Sequence, residues 1–230
     1  MEMQEASFTS GNRFLIGRTF DQARRGTARR GVVFVHGQGS SQRGYEKRAT
    51  VVSGSLDAIC FTFDLSGHGA DAASFDKYSV YDHLEDVIAA YDHLASLDDV
   101  SPARVGICGA SYGAYLAALA TASRSVKRLI LRSPSLAEDA DFPNLRTSGP
   151  GRREVPEQFD SLKILGKYTG EVLIVESEKD EVIPKSHITA YLAACSRVQH
   201  QLIPEATHAL TNPAWDEVFI AAIENWFKYL

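Results

Sequence analysis

Short apolar runs alternate along this chain with longer segments in which apolar residues recur at helical spacing. The runs GVVFVHG (31–37) and ARVGICG (103–109) are almost continuously apolar or small, which is typical of strands buried on both faces. The segment 78–97 instead places Leu84, Val87 and Tyr91 on one face of a helix. Strands that alternate with helices predict a mostly parallel sheet, joined by right-handed crossovers and covered by helices on both faces.

The same patterns assign the rest of the chain. Strands are expected at 13–20, 31–37, 57–69, 103–109, 126–134, 170–180 and 198–208. Helices are expected at 78–97, 112–123, 159–168, 184–196 and 213–230. Because there is no internal repeat and no low-complexity linker, we predict one domain over residues 1–230.

One segment, 135–158, interrupts this alternation. It is rich in proline and glycine and has no clear periodicity. A long irregular segment inside a compact domain is usually functional. We therefore predict a short cap at the entrance of a site, with Phe142 and Leu145 as the apolar residues that face a substrate.

Charge and composition exclude several partners. The chain has 230 residues and a net charge of −5, whereas a nucleic-acid surface needs a strong basic field. The basic cluster RRGTARR (24–30) lies between two strand-like runs and is expected to form a solvated hairpin turn. No apolar run approaches the ~18–20 residues of a membrane span. We predict neither a nucleic-acid nor a membrane partner, and the composition leaves the oligomeric state open.

The three cysteines carry no metal-binding or disulfide pattern. They are scattered along the chain, and Cys60 and Cys108 lie in apolar strand-like runs, where a buried reduced thiol is expected. The start of the chain lacks the basic-then-apolar order of a signal peptide. We expect a reducing, cytoplasmic setting and neither a metal nor an organic cofactor.

The candidate nucleophile is Ser111, in the sequence GASYG (109–113) between a buried strand and a helix. A serine at the tip of a sharp strand-to-helix turn protrudes toward substrate, but it forces the residues two before and two after into close contact. Gly109 and Gly113 satisfy that requirement. Small residues also occur at helix starts for packing alone, so the pattern becomes informative through its strand–turn–helix context.

A serine hydroxyl needs a base to accept its proton, and histidine is the usual one. His208 follows the last predicted strand, and it lies after Ser111 and after the candidate acid. Ser–Asp–His is the order used with this type of turn. The other histidines fit structural or surface roles: partly exposed helix positions for His83 and His93, a helix start for His187, a strand for His200, and tight glycine turns for His36 and His68.

The candidate acid is Asp180, which follows a strand in VESEKDEVIP. An acid at this point would hold the histidine tautomer and stabilise its cation. Glu178 and Glu181 are alternatives, but neighbouring charges in a loop are usually solvated. Asp64 also follows a strand, and we expect its carboxylate to cap the amides of the turn LSGHG.

An oxyanion formed during attack needs two preorganised backbone donors. One is expected to be the N–H of Tyr112, directly after the nucleophile. The other is expected to come from the loop HGQGSS, at the N–H of Gln38, with His36 and Gly37 shaping that loop.

The motifs FVHGQGS, FDLSGHG, GASYGA, KDEVIP and ATH stand in the order and approximate spacing of the α/β-hydrolase superfamily. From about Val32 to its end, the chain resembles small serine esterases, acyl-peptidase-like members and dienelactone-hydrolase-like enzymes. The resemblance implies the α/β-hydrolase fold, Ser111, Asp180 and His208 as the triad, and Gln38 and Tyr112 as oxyanion donors. Ser177 and the polar Gln38 depart from residues common in that superfamily.

The cap at 135–158 is too short for the multi-helix lid common in lipase-like relatives, which favours an open site. We therefore expect a serine hydrolase that cleaves small carboxylic esters through an acyl-enzyme on Ser111. Peptide or amide cleavage and carbon–carbon bond hydrolysis would use the same residues. A non-catalytic binding protein of the same fold would be expected to show a broken triad, and none is broken here.

Overall fold

The framework of the molecule is one sheet with eight strands among the residues that the computed structural model describes, 2–21, 28–136 and 157–230. The strands are β1 (Glu2–Ser10), β2 (Arg13–Asp21), β3 (Arg29–Val35), β4 (Ala58–Phe63), β5 (Val100–Ala110), β6 (Arg128–Arg132), β7 (Glu171–Ser177) and β8 (Val198–Ile203). Their spatial order is β1-β2-β4-β3-β5-β6-β7-β8. Strands β3 to β8 are parallel to one another, β2 is antiparallel to its neighbour β4, and β1 is antiparallel to β2. This is the α/β-hydrolase fold that the sequence predicted.

Helices cover both faces of the sheet. They are α1 (Arg43–Leu56), α2 (Val80–Ala95), α3 (Tyr112–Ala120), α4 (Ser161–Lys167), α5 (Lys185–Ala194) and α6 (Pro213–Phe227), with short 3₁₀ segments at Gly69–Lys77 and Glu157–Phe159. Helices α1 and α6 pack on one face, and α2 to α5 pack on the other. The first described segment thus forms an edge hairpin, and the remaining strands and helices follow the predicted alternation.

Strand β3 shows why its sequence is continuously apolar. Val32 and Phe34 face α1 and α6, whereas Val33 and Val35 face α2 and α3. All four are at most 1% exposed. Burying one such side chain contributes about 1.5–3 kcal/mol, so both faces of the strand stabilise the sheet.

Two elements were absent from the sequence prediction. Strand β1 lies at the edge, where its pairing depends on β2 alone. Helix α1 buries a narrow stripe formed by Tyr45, Ala49 and Val52. Its sequence also contains two glycines, which weaken the pattern by which a helix is recognised in a sequence. The topology nevertheless requires this helix, because parallel β3 and β4 need a crossover between them.

The predicted hairpin at the basic cluster is wrong. A hairpin joins two neighbouring antiparallel strands, but β4 lies between β2 and β3 in the sheet. The strands on either side of the basic cluster are therefore not paired with each other. Residues 22–27 lie outside the described residues, but Arg29 at the end of the cluster is only 5% exposed. Its guanidinium lies 2.7 Å from the carboxylate of Asp21. This arginine is therefore part of the packed structure and is not a solvated turn residue.

The predicted burial of the Cys60 and Cys108 thiols is confirmed. Cys60 and Cys108 are fully buried in β4 and β5, and Cys195 is buried at the end of α5. In the described part of the chain, none of the helices combines the length and the apolar character that a bilayer crossing requires.

Candidate active site

The candidate residues converge at the carboxyl edge of the parallel strands. The loop that begins at Gly37 follows β3, Ser111 follows β5, Asp180 follows β7, and His208 follows β8. Because parallel strands all end at the same edge, loops far apart in sequence meet there.

Ser111 occupies a strained turn between β5 and α3. Its φ is 54° and its ψ is −121°, a region that side-chain-bearing residues rarely adopt. A Cβ at Gly109 would lie 2.4 Å from the carbonyl oxygen of Gly113, and a Cβ at Gly113 would lie 2.3 Å from the carbonyl oxygen of His36. The small residues around Ser111 therefore serve the turn, as the sequence predicted.

We expect Gly113→Ala to destabilise the protein by about 2–4 kcal/mol, because the new methyl group meets backbone atoms that cannot rotate away. Gly166→Ala is the matched control. A Cβ there would have its nearest contact at 3.8 Å, an ordinary distance, and an alanine inside a helix stabilises by up to about 1 kcal/mol. Urea unfolding of both variants measures the difference. Equal stabilities would mean that the backbone at Gly113 has room to shift.

His208 and Asp180 form a direct pair. The ring nitrogen Nδ1 of His208 lies 2.9 and 3.0 Å from the two carboxylate oxygens of Asp180. Burial alone would raise the pKa of Asp180, but the hydrogen bonds from His208 and from the backbone N–H of Ile183 outweigh it and hold this pKa at about 2. The ionised carboxylate has no proton to give, so Nδ1 carries the proton. The other ring nitrogen, Nε2, is therefore left as a base.

The two neighbouring glutamates hold the backbone of the histidine loop. The carboxylate of Glu181 accepts the backbone N–H of His208 at 3.1 Å, and that of Glu178 accepts the N–H of Glu205 at 2.8 Å. The prediction that they are merely solvated charges is incomplete, since each one fixes a backbone position. Neither of these bonds involves the imidazole ring.

Arg132, at the end of β6, links the serine turn to the histidine loop and was missed by the sequence analysis. Its carbonyl oxygen accepts the N–H of Ser111 at 2.9 Å, and its guanidinium donates to the carbonyl oxygen of His208 at 2.8 Å. The side chain is 8% exposed, and burial lowers its pKa. A charged residue that ends the apolar run LILR was the available signal.

The loop after β3 passes beside the nucleophile. A Cβ built on Gly37 would lie 3.9 Å from the Oγ of Ser111. His36 fixes this loop, because its Nδ1 lies 2.8 Å from the carbonyl oxygen of Gly37 and its Nε2 accepts the N–H of Leu65 at 3.1 Å. Burial lowers the pKa of His36 to about 4, so the ring is neutral. The predicted shaping role of His36 is confirmed, and Gln38 follows directly in this anchored loop.

Asp64 holds the far end of the same loop, which corrects its predicted role. Its carboxylate accepts a hydrogen bond from the backbone N–H of Gln42 at 2.6 Å and another from the side-chain amide nitrogen of Gln42 at 3.3 Å. It therefore reaches across to the neighbouring loop, and does not cap amides of its own turn as predicted.

His83 was predicted to be partly exposed, and this is wrong. The residue is fully buried on the inner face of α2, on the same stripe as Val80 and Val87. His68, predicted to stand in a structural turn, is also buried, and its Nδ1 lies 3.0 Å from the carbonyl oxygen of Ser66. The ring centroids of these two histidines are 5.1 Å apart.

An open cavity of about 870 Å³ adjoins the loop after β3. Its walls include Gln38, Ser41, Arg43, His68 and Phe75. The expected substrate contacts Phe142 and Leu145 lie outside the described residues, as does most of the predicted cap. Across the described ranges, no cluster of three or more histidine, cysteine or acidic side chains is arranged to hold a metal ion.

Known proteins are similar to this chain in sequence and in fold. It is 26% identical to an uncharacterized protein of Mycobacterium tuberculosis over 175 residues, which are 74% of this chain and 60% of that protein. The curated relatives are longer, and the chain spans between 43% and 60% of their length.

Two solved structures superpose over nearly the whole chain. Est1E from Butyrivibrio proteoclasticus, bound to ferulic acid, matches with a TM-score of 0.74 and 20% identity over 96% of each chain. Dienelactone hydrolase from Anabaena variabilis matches with a TM-score of 0.73 and 19% identity, over 99% of this chain and 97% of that one. The model of the alpha/beta hydrolase family matches residues 32–167, more than half of the sequence. The chain belongs to the alpha/beta hydrolase family.

Proposed function

We propose that the protein is a serine hydrolase that cleaves small carboxylic esters through an acyl-enzyme on Ser111. The observation that carries this proposal is the His208–Asp180 pair, at 2.9 Å, on the same sheet edge as the strained Ser111 turn. A tautomer locked by an ionised carboxylate suits a base that must take a serine proton.

In the first half of the reaction, the Oγ of Ser111 attacks the ester carbonyl carbon while Nε2 of His208 takes the hydroxyl proton. The negatively charged tetrahedral oxygen accepts hydrogen bonds from the backbone N–H groups of Gln38 and Tyr112. The carbon–oxygen bond to the alcohol then breaks, and His208 returns the proton to the departing alkoxide. Asp180 stabilises the imidazolium that exists between these transfers.

The second half repeats the same steps with water. His208 takes a proton from the water molecule, whose oxygen attacks the acyl carbon. The bond to Ser111 breaks, and the imidazolium returns its proton to the serine oxygen. The carboxylic acid is released, and the enzyme is restored without any change of oxidation state.

Two observations support a small substrate with a polar portion. The cavity beside the Gln38 loop is open and has serine and arginine side chains in its walls, which can bind a polar group of a substrate. Est1E, a structural neighbour, holds ferulic acid, a carboxylic acid of the class that ester cleavage releases. The predicted cytoplasmic setting stays a proposal, which the three buried unpaired thiols support.

A panel of p-nitrophenyl esters with acyl chains from two to twelve carbons, run beside the matching p-nitroanilides, tests this function. We expect kcat/KM to be highest for the short esters and turnover of the anilides to be at least about 100-fold slower. Comparable anilide turnover would favour peptide or amide cleavage. If all esters are inert and a fluorophosphonate fails to label the folded protein, the chain is a binding protein and the proposal is wrong.

A further inference from the structure

The side chain of Tyr112 ends in a buried hydrogen bond to α2. Its hydroxyl lies 2.8 Å from Nδ1 of His83, and the two rings meet edge to face with centroids 5.6 Å apart. Tyr112 is 1% exposed and His83 is fully buried. The hydroxyl group at the end of the Tyr112 side chain is thus held in place by His83.

The partners of His83 determine its tautomer. Nε2 lies 2.9 Å from the carbonyl oxygen of Ser66, which has no proton to give. Nε2 therefore carries the ring proton, and Nδ1 accepts from the hydroxyl of Tyr112. Burial, reinforced by the neighbouring His68, lowers the pKa of His83 to about 4 and keeps the ring neutral.

His83 itself rests on a rigid support. One turn further along α2, the carboxylate of Asp86 accepts the backbone N–H of Ser66 at 2.8 Å. The other oxygen of this carboxylate accepts from Arg13 of the β1–β2 hairpin at 3.0 Å. Asp86 is fully buried. Two side chains of one helix thus hold the carbonyl and the amide of Ser66, so His83 has little freedom to move.

We infer that His83 is a positioning residue, which aims the backbone N–H of Tyr112 at the reacting oxygen by holding the Tyr112 side chain. Tyr112 is the first residue of α3, where an N–H has no acceptor within the helix. The preceding Ser111 is strained, and strain persists only where the surroundings over-determine the backbone. The inference rests on the proposed function, because it assigns the support of one oxyanion donor.

Two isosteric substitutions separate the two bonds of the imidazole. The amide oxygen of asparagine takes the place of Nδ1, so His83→Asn keeps an acceptor for Tyr112 and loses the donor to Ser66. The amide nitrogen of glutamine takes the place of Nε2, so His83→Gln does the reverse. His93→Gln on the same helix is the matched control, since the ring of His93 packs between Phe8 and Phe61, away from the serine turn.

With p-nitrophenyl acetate, we expect His83→Gln and Tyr112→Phe to lower kcat by about 10- to 100-fold, within the effect of one oxyanion donor. KM should change less than about twofold. The inhibition constant of a trifluoromethyl ketone, which forms the tetrahedral oxyanion, should rise by the same factor as kcat falls. His83→Asn should stay within about threefold of the wild type, and His93→Gln should match it.

The opposite ranking, with His83→Asn impaired and His83→Gln normal, would show that His83 only anchors Ser66 and would overturn the inference. An unchanged kcat in Tyr112→Phe would do the same. The amide resonance of Tyr112 in nitrogen-15 spectra gives a readout without turnover, and it should shift in His83→Gln but not in His83→Asn. If the wild type cleaves no ester, the proposed function fails, whereas this resonance still decides whether His83 positions Tyr112.

Discussion

Replacing Ser111 with alanine is expected to lower kcat for p-nitrophenyl acetate by about 10⁵- to 10⁶-fold, the scale found when a serine nucleophile is removed. The reason is chemical, because no other hydroxyl lies at the tip of the β5–α3 turn. Alanine should tolerate the turn no worse than serine does, since both carry a Cβ at φ 54°. Intact-mass analysis after fluorophosphonate treatment should show one adduct on the wild type and none on the variant.

Ser123→Ala is the matched control for this experiment. Ser123 is exposed just after the same helix, and its hydroxyl meets only the local carbonyl of Ala120 among the described contacts. Its loss should change neither labelling nor turnover. An adduct that persists in Ser111→Ala, or turnover that survives it, would place the nucleophile elsewhere.

Converting Asp180 to asparagine is expected to lower kcat by about 10²–10⁴-fold with little change in KM, because the lost charge acts on the imidazolium formed during attack. The asparagine oxygen can still accept the N–H groups of Val182 and Ile183, which now bond to Asp180 at 3.0 and 2.8 Å. The loop should therefore keep its shape. The loss then reports on the ring of His208, which can take the wrong tautomer when an amide faces Nδ1.

Glu178→Gln and Glu181→Gln are the controls for Asp180. Each glutamate accepts only a backbone N–H in the described structure, and a glutamine oxygen can accept the same bond. Each change should cost less than about tenfold in kcat. Near-normal turnover in Asp180→Asn together with a large loss in Glu178→Gln would assign the acid to Glu178 and leave Ser111 and His208 in place.

The pH dependence follows from the same carboxylate. The pKa of Asp180 is lowered to about 2 in the folded protein, against a reference value of 3.8. Its ionised form therefore stabilises the fold fully above the unfolded pKa, and that contribution is lost as the pH falls toward 2. The decline of kcat/KM between pH 7 and 4 should consequently not reflect Asp180. A profile of kcat/KM against pH for p-nitrophenyl acetate checks this expectation, and a fall in rate that follows titration of Asp180 in that range would contradict it.

The sequence predicted the fold and the residues at the strand ends, but it missed the residues that support them. Ser111, Asp180 and His208 are recognisable because each follows an apolar strand and belongs to a residue type with suitable chemistry. His83 and Arg132 are polar residues within apolar patterns, where polarity usually means exposure, as was expected for His83. The spacing of His83 from Val87 did place it on the buried stripe of α2. Its partner, 29 residues away in sequence, could not be inferred without the tertiary contact.

The interlocked glycines at Gly109 and Gly113 have an evolutionary consequence. A Cβ at Gly109 would lie only 2.4 Å from the carbonyl oxygen of Gly113, so a side chain there would push the start of α3 away from the sheet. Almost no substitution is therefore tolerated at these two positions of the turn. Substitutions are easier to accommodate in the wall of the cavity, at exposed positions such as Arg43 and Ala70. The turn that carries the proposed nucleophile and the wall of the cavity are thus separate parts of the structure, so that residues of the wall can change while the turn stays the same.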